Sequence, residues 1–268
     1  MGRHSFIRQF KLRDVRGRVD YISNPKRQEY LYASYSTVEP EFWKYLAEQN
    51  QYDFKRSRAR GECIEARELV IALPESLQEY SPEELLKLFT EQFRTKYGVQ
   101  CTAALHHNKT KTNYHIHLIY SERKLLEKPE RKVATRNMFY DEQGRHVRTK
   151  KEILAEDGKT MRSGCRVIPK GEIYEMNFFD AKEDGFKGRD FLIAVKEMYT
   201  DLINKLVREE TEKLTVFDPT GPYLATKKIG KTIRRKRSSK QIMQPDRNGT
   251  VRWMKHWCRE CHQRKSRK

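Results

Sequence analysis

Half of the chain's eight histidines fall between Leu105 and Tyr120, in Leu105-His106-His107-Asn108-Lys109-Thr110-Lys111-Thr112-Asn113-Tyr114-His115-Ile116-His117-Leu118-Ile119-Tyr120. His115 and His117 are separated by one apolar residue. Side chains alternate along a strand, so a strand here would send both imidazoles to one face. A third imidazole, from His106 or His107, could return to that face from a neighbouring strand. Three convergent imidazoles with coordination positions left open describe a catalytic metal site better than a structural one. The plainer alternative is a set of hydrogen-bonded core histidines, because H-x-H is a short pattern.

The flanking sequence must supply the strands. Ala66-Arg67-Glu68-Leu69-Val70-Ile71-Ala72-Leu73-Pro74 is almost continuously apolar after its charged start, which suits a strand covered on both faces. Ser81, Pro82 and Glu84 make a helix start, and Leu85, Leu86, Phe89, Phe93 and Tyr97 continue it as one apolar stripe up to Gly98. Residues 99–107 and 114–121 follow as two strands, and the short polar connection between them favours an antiparallel hairpin. Phe6 to Leu12 alternates like a strand. Residues 39–50 read as a short amphipathic helix, and 189–214 as a longer one. The order predicts an α+β fold, a central antiparallel sheet covered by helices.

Residues 122–180 are polar and turn-rich and read as an insertion of hairpins and loops, either a DNA-contacting flap or a solvated excursion. The expected division is one domain over 1–218 and a flexible basic tail over 219–268. In that tail Cys258, Cys261 and His262 form C-x-x-C-H, half of a zinc site at most.

Lys and Arg number 56 against 37 Asp and Glu, a formal charge of +19. That excess favours a polyanionic partner, nucleic acid before an anionic membrane surface. No run approaches the roughly 18–20 apolar residues of a membrane span, and the first residues show no apolar signal core. Five cysteines at irregular spacing argue for a reducing cytoplasm and against a disulfide framework.

Four segments, in order, resemble the MobA/MobL relaxases of the histidine-hydrophobe-histidine (HUH) nucleases. They are Asp20-Tyr21-Ile22-Ser23, then Ala66-Arg67-Glu68 through Ala72-Leu73-Pro74-Glu75-Ser76-Leu77, then the capped helix ending at Tyr97-Gly98-Val99, and finally Ala104-Leu105-His106-His107-Asn108-Lys109 with Asn113-Tyr114-His115-Ile116-His117-Leu118. The resemblance covers about residues 1–125, is loose over 126–225, and does not reach the tail. It implies a ferredoxin-like or RRM-like sheet and strand-specific nicking of single-stranded or supercoiled transfer-origin DNA. Accessory relaxosome proteins and a coupling protein would be further partners.

It also implies site residues. Tyr21 would be the nucleophile, with Tyr30, Tyr32 and Tyr35 as competitors. His115, His117 and His107 would hold a divalent ion, Mg²⁺ or Mn²⁺ before Zn²⁺. Counting back from Asn113-Tyr114-His115 favours His107 as the third ligand, whereas the Ala104-Leu105-His106 context favours His106, kept as the alternate. Glu68 or Glu65 would orient a histidine from behind. Arg16, Arg18, Lys26, Arg27, Arg67, Lys109 and Lys111 would meet DNA phosphates. A phenol with a pKa near ~10 needs activation to attack a phosphodiester, and a metal held by neutral imidazoles would supply it. No G-x-x-x-x-G-K-[ST] run is present, in keeping with chemistry that needs no nucleoside triphosphate. Two rivals share much of this pattern: an HUH replication initiator or transposase, and a non-catalytic basic nucleic-acid-binding protein.

Overall fold

The computed structural model describes residues 3–28, 30–108 and 110–218. The basic tail from 219, with Cys258, Cys261 and His262, and the loop residue Lys109 lie outside the described residues. Among the described residues, those up to Leu214 belong to one compact unit. The histidines and the sheet that carries them belong to it.

After a two-residue strand β1 (Arg3–His4), the chain enters β2 (Ile7–Leu12) and then helix α1 (Val15–Ser23). Next come β3 (Leu31–Ser36), α2 (Pro40–Ser57) and β4 (Ala66–Leu73). A single 3₁₀ turn (Glu75–Glu79) leads to α3 (Pro82–Tyr97), β5 (Cys101–His107) and β6 (Tyr114–Tyr120). The expected strand, capped helix and hairpin are all present. The helix expected over 39–50 runs on to Ser57, with Phe42, Trp43, Leu46, Ala47 and Asn50 as its buried stripe.

Five strands form one antiparallel sheet in the order β2-β4-β6-β5-β3. β4, which carries the apolar run that the sequence marks as doubly covered, lies inside the sheet between β2 and β6. One face packs on α3 and α4 (Arg189–Leu206), with Leu69, Ile71, Leu105, Ile116 and Leu118 in its core. The other packs on α1 and α2, with Ala66, Ala104 and Ile119 against Val15, Ile22, Trp43 and Leu46. The architecture is the α+β arrangement expected from the sequence.

The insertion is a β-arm. Its stalk is a two-stranded ribbon of β7 (Leu125–Val133) and β11 (Ile173–Phe179). Between them β8 (Met138–Tyr140), β9 (His146–Val147) and β10 (Arg166–Ile168) make a small sheet in the order β10-β8-β9. Buried charges fasten the base of the arm. Arg67 pairs with Glu122 at 2.5 Å, and Lys182 reaches Glu122 at 3.4 Å. Arg123 donates to Asn50 and Asp53 of α2 and to the carbonyl of Asp180.

Among the described residues no helix is long and apolar enough to cross a membrane. Cys63, Cys101 and Cys165 are free thiols.

Candidate functional site

Register decides which histidines meet. In the β5–β6 ladder His106 stands opposite His115, Ala104 opposite His117, and His107 opposite Tyr114. Directly opposed residues share a face. His106, His115 and His117 therefore lie on the α1/α2 face, and His107 lies on the α3 face. His107, expected as the third partner, is on the opposite face from the pair, because a one-residue step along a strand reverses the face. His106, the alternate, is the one brought to the pair. Its ring centroid is 5.9 Å from that of His115 and 5.1 Å from that of His117.

The tautomers follow from the partners. His115 Nδ1 donates to the carbonyl of Asn113 at 2.9 Å. His117 Nδ1 donates to Glu68 Oε1 at 2.6 Å. His106 donates to the backbone of Ile22, and its buried Nε2 has no partner. Each Nδ1 is thus spent on an acceptor, which leaves Nε2 as the remaining nitrogen of each ring. His115 Nε2 and His117 Nε2 face each other at 3.0 Å. Two lone pairs at that distance repel unless a proton or a cation lies between them.

Two of the three rings resist protonation. Burial first, then the nearby His117 and His115, push His106 down to about 3. Burial also lowers His115. Glu68 is pushed up by burial, but hydrogen bonds from His117 and Arg18 more than offset this and leave it below the usual carboxylate range.

This donor set suits a divalent ion. Ligand nitrogens at about 2.0–2.1 Å from a metal and at right angles to each other would stand about 3 Å apart, the separation that His115 and His117 already have. Among the described residues no group of three His, Cys, Asp or Glu stands ready-made to hold an ion. His106 is set back from the pair by its centroid distances, so closure of its ring on the other two would be needed. The orphaned Nε2 of His106 is the observation that favours a ligand there, since a buried polar atom without a partner is costly.

Helix α1 is fixed beside these rings. Asp14 caps it, accepting from Gly17 N at 2.9 Å. A Cβ on Gly17 would lie 2.2 Å from Asp14 Oδ2, so a larger residue there would displace the capping carboxylate. Glu65 Oε2 accepts from Val15 N at 3.0 Å. Glu65 therefore serves the start of α1, where a carboxylate meets the positive end of the helix dipole, and not a histidine. Of the two acids, Glu68 alone backs a histidine.

Arg18, expected on DNA, instead forks onto Glu68, with Nε at 3.0 and 3.1 Å and Nη2 at 2.6 Å. Its guanidinium carbon also lies 5.2 Å from the ring centroid of Tyr21. Tyr21 is 45% exposed and immediately precedes Ile22, the residue that receives the His106 bond. The competing tyrosines are engaged elsewhere. Tyr35 donates to Glu91 at 2.7 Å. Tyr32 donates to His107 Nδ1 at 2.9 Å, while His107 Nε2 donates to Glu75 at 2.8 Å. Tyr30 lies under the Lys111 ammonium, 4.7 Å from its ring centroid.

The remaining basic candidates divide by exposure. Arg67 is buried in its pair with Glu122 and is closed to a phosphate. Arg16 and Lys26 are exposed, and Arg27 pairs with Asp20 at 3.0 Å on the surface. Arg16 lines an open groove of about 870 Å³ between α1 and the start of α2, with Asp20, Trp43 and Lys44. The sequence reading missed the three backbone and side-chain acceptors behind the imidazoles as a set, and missed Arg18 as an internal strut. Only Glu68 carried a signal, through its place in the β4 strand.

A family model described as the MobA/MobL family matches residues 47–217. The match includes β4 to β6 with all four histidines and Glu68, and the whole β-arm; α1 and Tyr21 precede it. No curated protein matches the chain.

Proposed function

The chain belongs to the MobA/MobL family of mobilisation relaxases, and from that premise we propose that it nicks one strand at the transfer origin of a plasmid or other mobile element. The observation that carries the reading is the trio His106, His115 and His117 on one face of the sheet, with the Nε2 atoms of His115 and His117 3.0 Å apart and that of His106 buried without a partner.

Tyr21 is the nucleophile in this proposal. Its phenolic oxygen attacks the scissile phosphorus, and the bond to the 3′ oxygen breaks. The phenol gives up one proton and the departing 3′ oxygen takes up one, so the exchange is proton-neutral overall. The product is a 5′-phosphotyrosyl adduct. One phosphoester replaces another, so the reverse attack by a 3′ hydroxyl rejoins the strand after transfer.

His106, His115 and His117 would hold a divalent ion through Nε2, Mg²⁺ or Mn²⁺ before Zn²⁺. Such an ion would polarise the phosphate and offset the charge that builds on its oxygens. Glu68 keeps His117 in the required tautomer, as carboxylates behind metal-binding histidines do. Arg18 neutralises Glu68 and lies against the Tyr21 ring, linking nucleophile and histidines. Arg16 and Lys26, exposed beside α1, meet the DNA backbone and make binding salt-dependent. Accessory relaxosome proteins and a coupling protein complete the expected partners, with the cytoplasm as the compartment.

The test is cleavage of single-stranded oligonucleotides tiled across the DNA next to the gene, with and without Mn²⁺ or Mg²⁺. A metal-dependent 5′ adduct on the wild type that Tyr21→Phe abolishes is the expected result. Cleavage that survives Tyr21→Phe would remove Tyr21 as the nucleophile. Binding without cleavage under every metal condition would reject the enzyme reading for a binding protein.

A further inference from the structure

The β-arm and α2 share an exposed aromatic strip that the nicking chemistry does not use. Tyr45 and Tyr52 of α2, with Tyr174, Met176 and Phe178 of β11, are each between 36% and 50% exposed. Residues 45 and 52 are two helical turns apart and so lie on one side of α2. The Tyr45 and Phe178 rings stack at 6.0 Å with an interplanar angle of 26°. Along β11, Tyr174, Met176 and Phe178 are exposed, and the intervening Glu175 and Asn177 are more covered. Tyr174 is the extra residue of a bulge between Ile173 and Glu175, and Phe178 sits at a second irregularity between Asn177 and Phe179. Bulges re-aim side chains and are retained for that purpose.

We propose that this strip is a stacking platform for single-stranded DNA outside the nick site. The proposal rests on the relaxase reading for the identity of the nucleic acid, but not for the existence of the platform. Two features favour a nucleic acid over a protein partner. The first is the side chains themselves: the half-exposed rings of Tyr45, Tyr52, Tyr174 and Phe178 offer π-faces on which bases of any sequence can stack.

The second feature is charge. Glu175, between Tyr174 and Met176 in β11, is already neutralised by Lys132 at 2.6 Å and by Arg56 at 3.7 Å. Asp53 is taken by Arg123 at 2.6 Å. Arg56 also lies 5.3 Å from the Tyr52 ring centroid. Arg131 stands directly opposite Met176 and is exposed. Exposed π-faces with a cationic margin bind single strands with little sequence preference. The platform is also preorganised, because Arg123 ties α2 to the base of the arm through Asn50, Asp53 and Asp180.

The experiment measures binding of a labelled oligo-dT strand to the full-length protein across a salt series. It compares wild type with Tyr45→Ala/Tyr174→Ala, Tyr45→Phe/Tyr174→Phe and Arg131→Ala. Loss of two stacking rings should weaken binding about tenfold or more without changing the salt slope. The phenylalanine pair should bind like wild type, and Arg131→Ala should lower the slope by about one. Cleavage of a short oligonucleotide covering only the nick site should persist in the alanine pair. Wild-type affinity in the alanine pair would overturn the platform and leave the strip to a protein partner. If no oligonucleotide is ever cleaved yet the ring dependence holds, the relaxase reading falls and the platform stands.

Discussion

If His106 is the third ligand, metal binding should depend on it and not on His107. A ligand that binds only the folded state stabilises it by about 2.7 kcal/mol at a hundredfold excess over its Kd. For a unit of this size each kcal/mol moves Tm by about 2–4 °C, so Mn²⁺ or Zn²⁺ should raise Tm by roughly 5–11 °C. His106→Ala removes one of three nitrogens and should abolish most of that rise. His107→Ala should behave differently. It deprives the Glu75 carboxylate and the Tyr32 hydroxyl of a partner and lowers the starting Tm, at a cost of about 1–3 kcal/mol, but it should keep the metal-induced rise. Differential scanning fluorimetry with and without each ion reads both quantities. A rise that is kept in His106→Ala and lost in His107→Ala would refute the face assignment drawn from the β5–β6 register. No rise in the wild type with any divalent ion would refute the three-imidazole site itself.

Glu68→Gln should lower metal affinity or cleavage about 10–100-fold, because His117 loses the anion behind its Nδ1; titration of metal-dependent cleavage checks this, and an unchanged metal midpoint would count against the link. Glu122→Gln leaves the Arg67 guanidinium buried without its anion and should cost about 3–5 kcal/mol, read as a lower urea midpoint; Arg67→Met/Glu122→Leu should recover most of the loss. Stability should also fall in acid. His106 stays neutral in the fold to about pH 3, so its contribution is complete above its unfolded value near ~6.5 and declines as pH drops below it, by at most about 1.4 kcal/mol per unit. Glu68, lowered in the fold, adds a second loss that begins below the ordinary glutamate value near ~4.3. Urea midpoints measured from pH 7.5 to pH 4 should fall, less steeply in His106→Gln; a flat wild-type profile would contradict the buried neutral imidazole.

Much of the architecture could be read directly, because its signals are local. Continuous apolarity over 66–73, the Ser81-Pro82 cap and the Gly98 stop each act within a few residues, and strands and helix appear where those signals fall. The choice between His106 and His107 was not local. It depends on which residue of β5 stands opposite His115, and that register is set by the Asn108–Asn113 turn, with Lys111 at a positive φ of 49°. Nothing in the histidine spacing carries that parity. Charge was misleading for the same reason. Arg18 and Arg67 look like surface cations in a chain of +19, yet each faces a buried glutamate from a distant segment, Glu68 and Glu122. A long-range partner turns a presumed phosphate contact into an internal strut.

Those struts bear on how Tyr21, the proposed nucleophile, stays aligned with the histidines. Two independent bonds tie α1 to the imidazole cluster: the His106 ring to the Ile22 backbone, and the Arg18 fork to the carboxylate that also holds His117. Tyr21 lies between the two attachment points in sequence. Any movement of His106 toward His115 and His117, as ion binding would require, must stretch the Ile22 bond or draw the last turn of α1 with it. The far end of the helix is held by Asp14 and Glu65, so the helix can pivot about its start but cannot slide. On the proposed chemistry, ion binding would therefore be mechanically linked to placement of the phenol. Metal should change the environment of Tyr21 even without DNA. A tyrosine-selective probe, such as the nuclear magnetic resonance shift of a labelled Tyr21 ring, should respond to Mg²⁺ or Zn²⁺ in the wild type and lose that response in His106→Ala. A Tyr21 signal that ignores the ion in a protein shown to bind it would break the link and leave α1 a passive cover on the sheet.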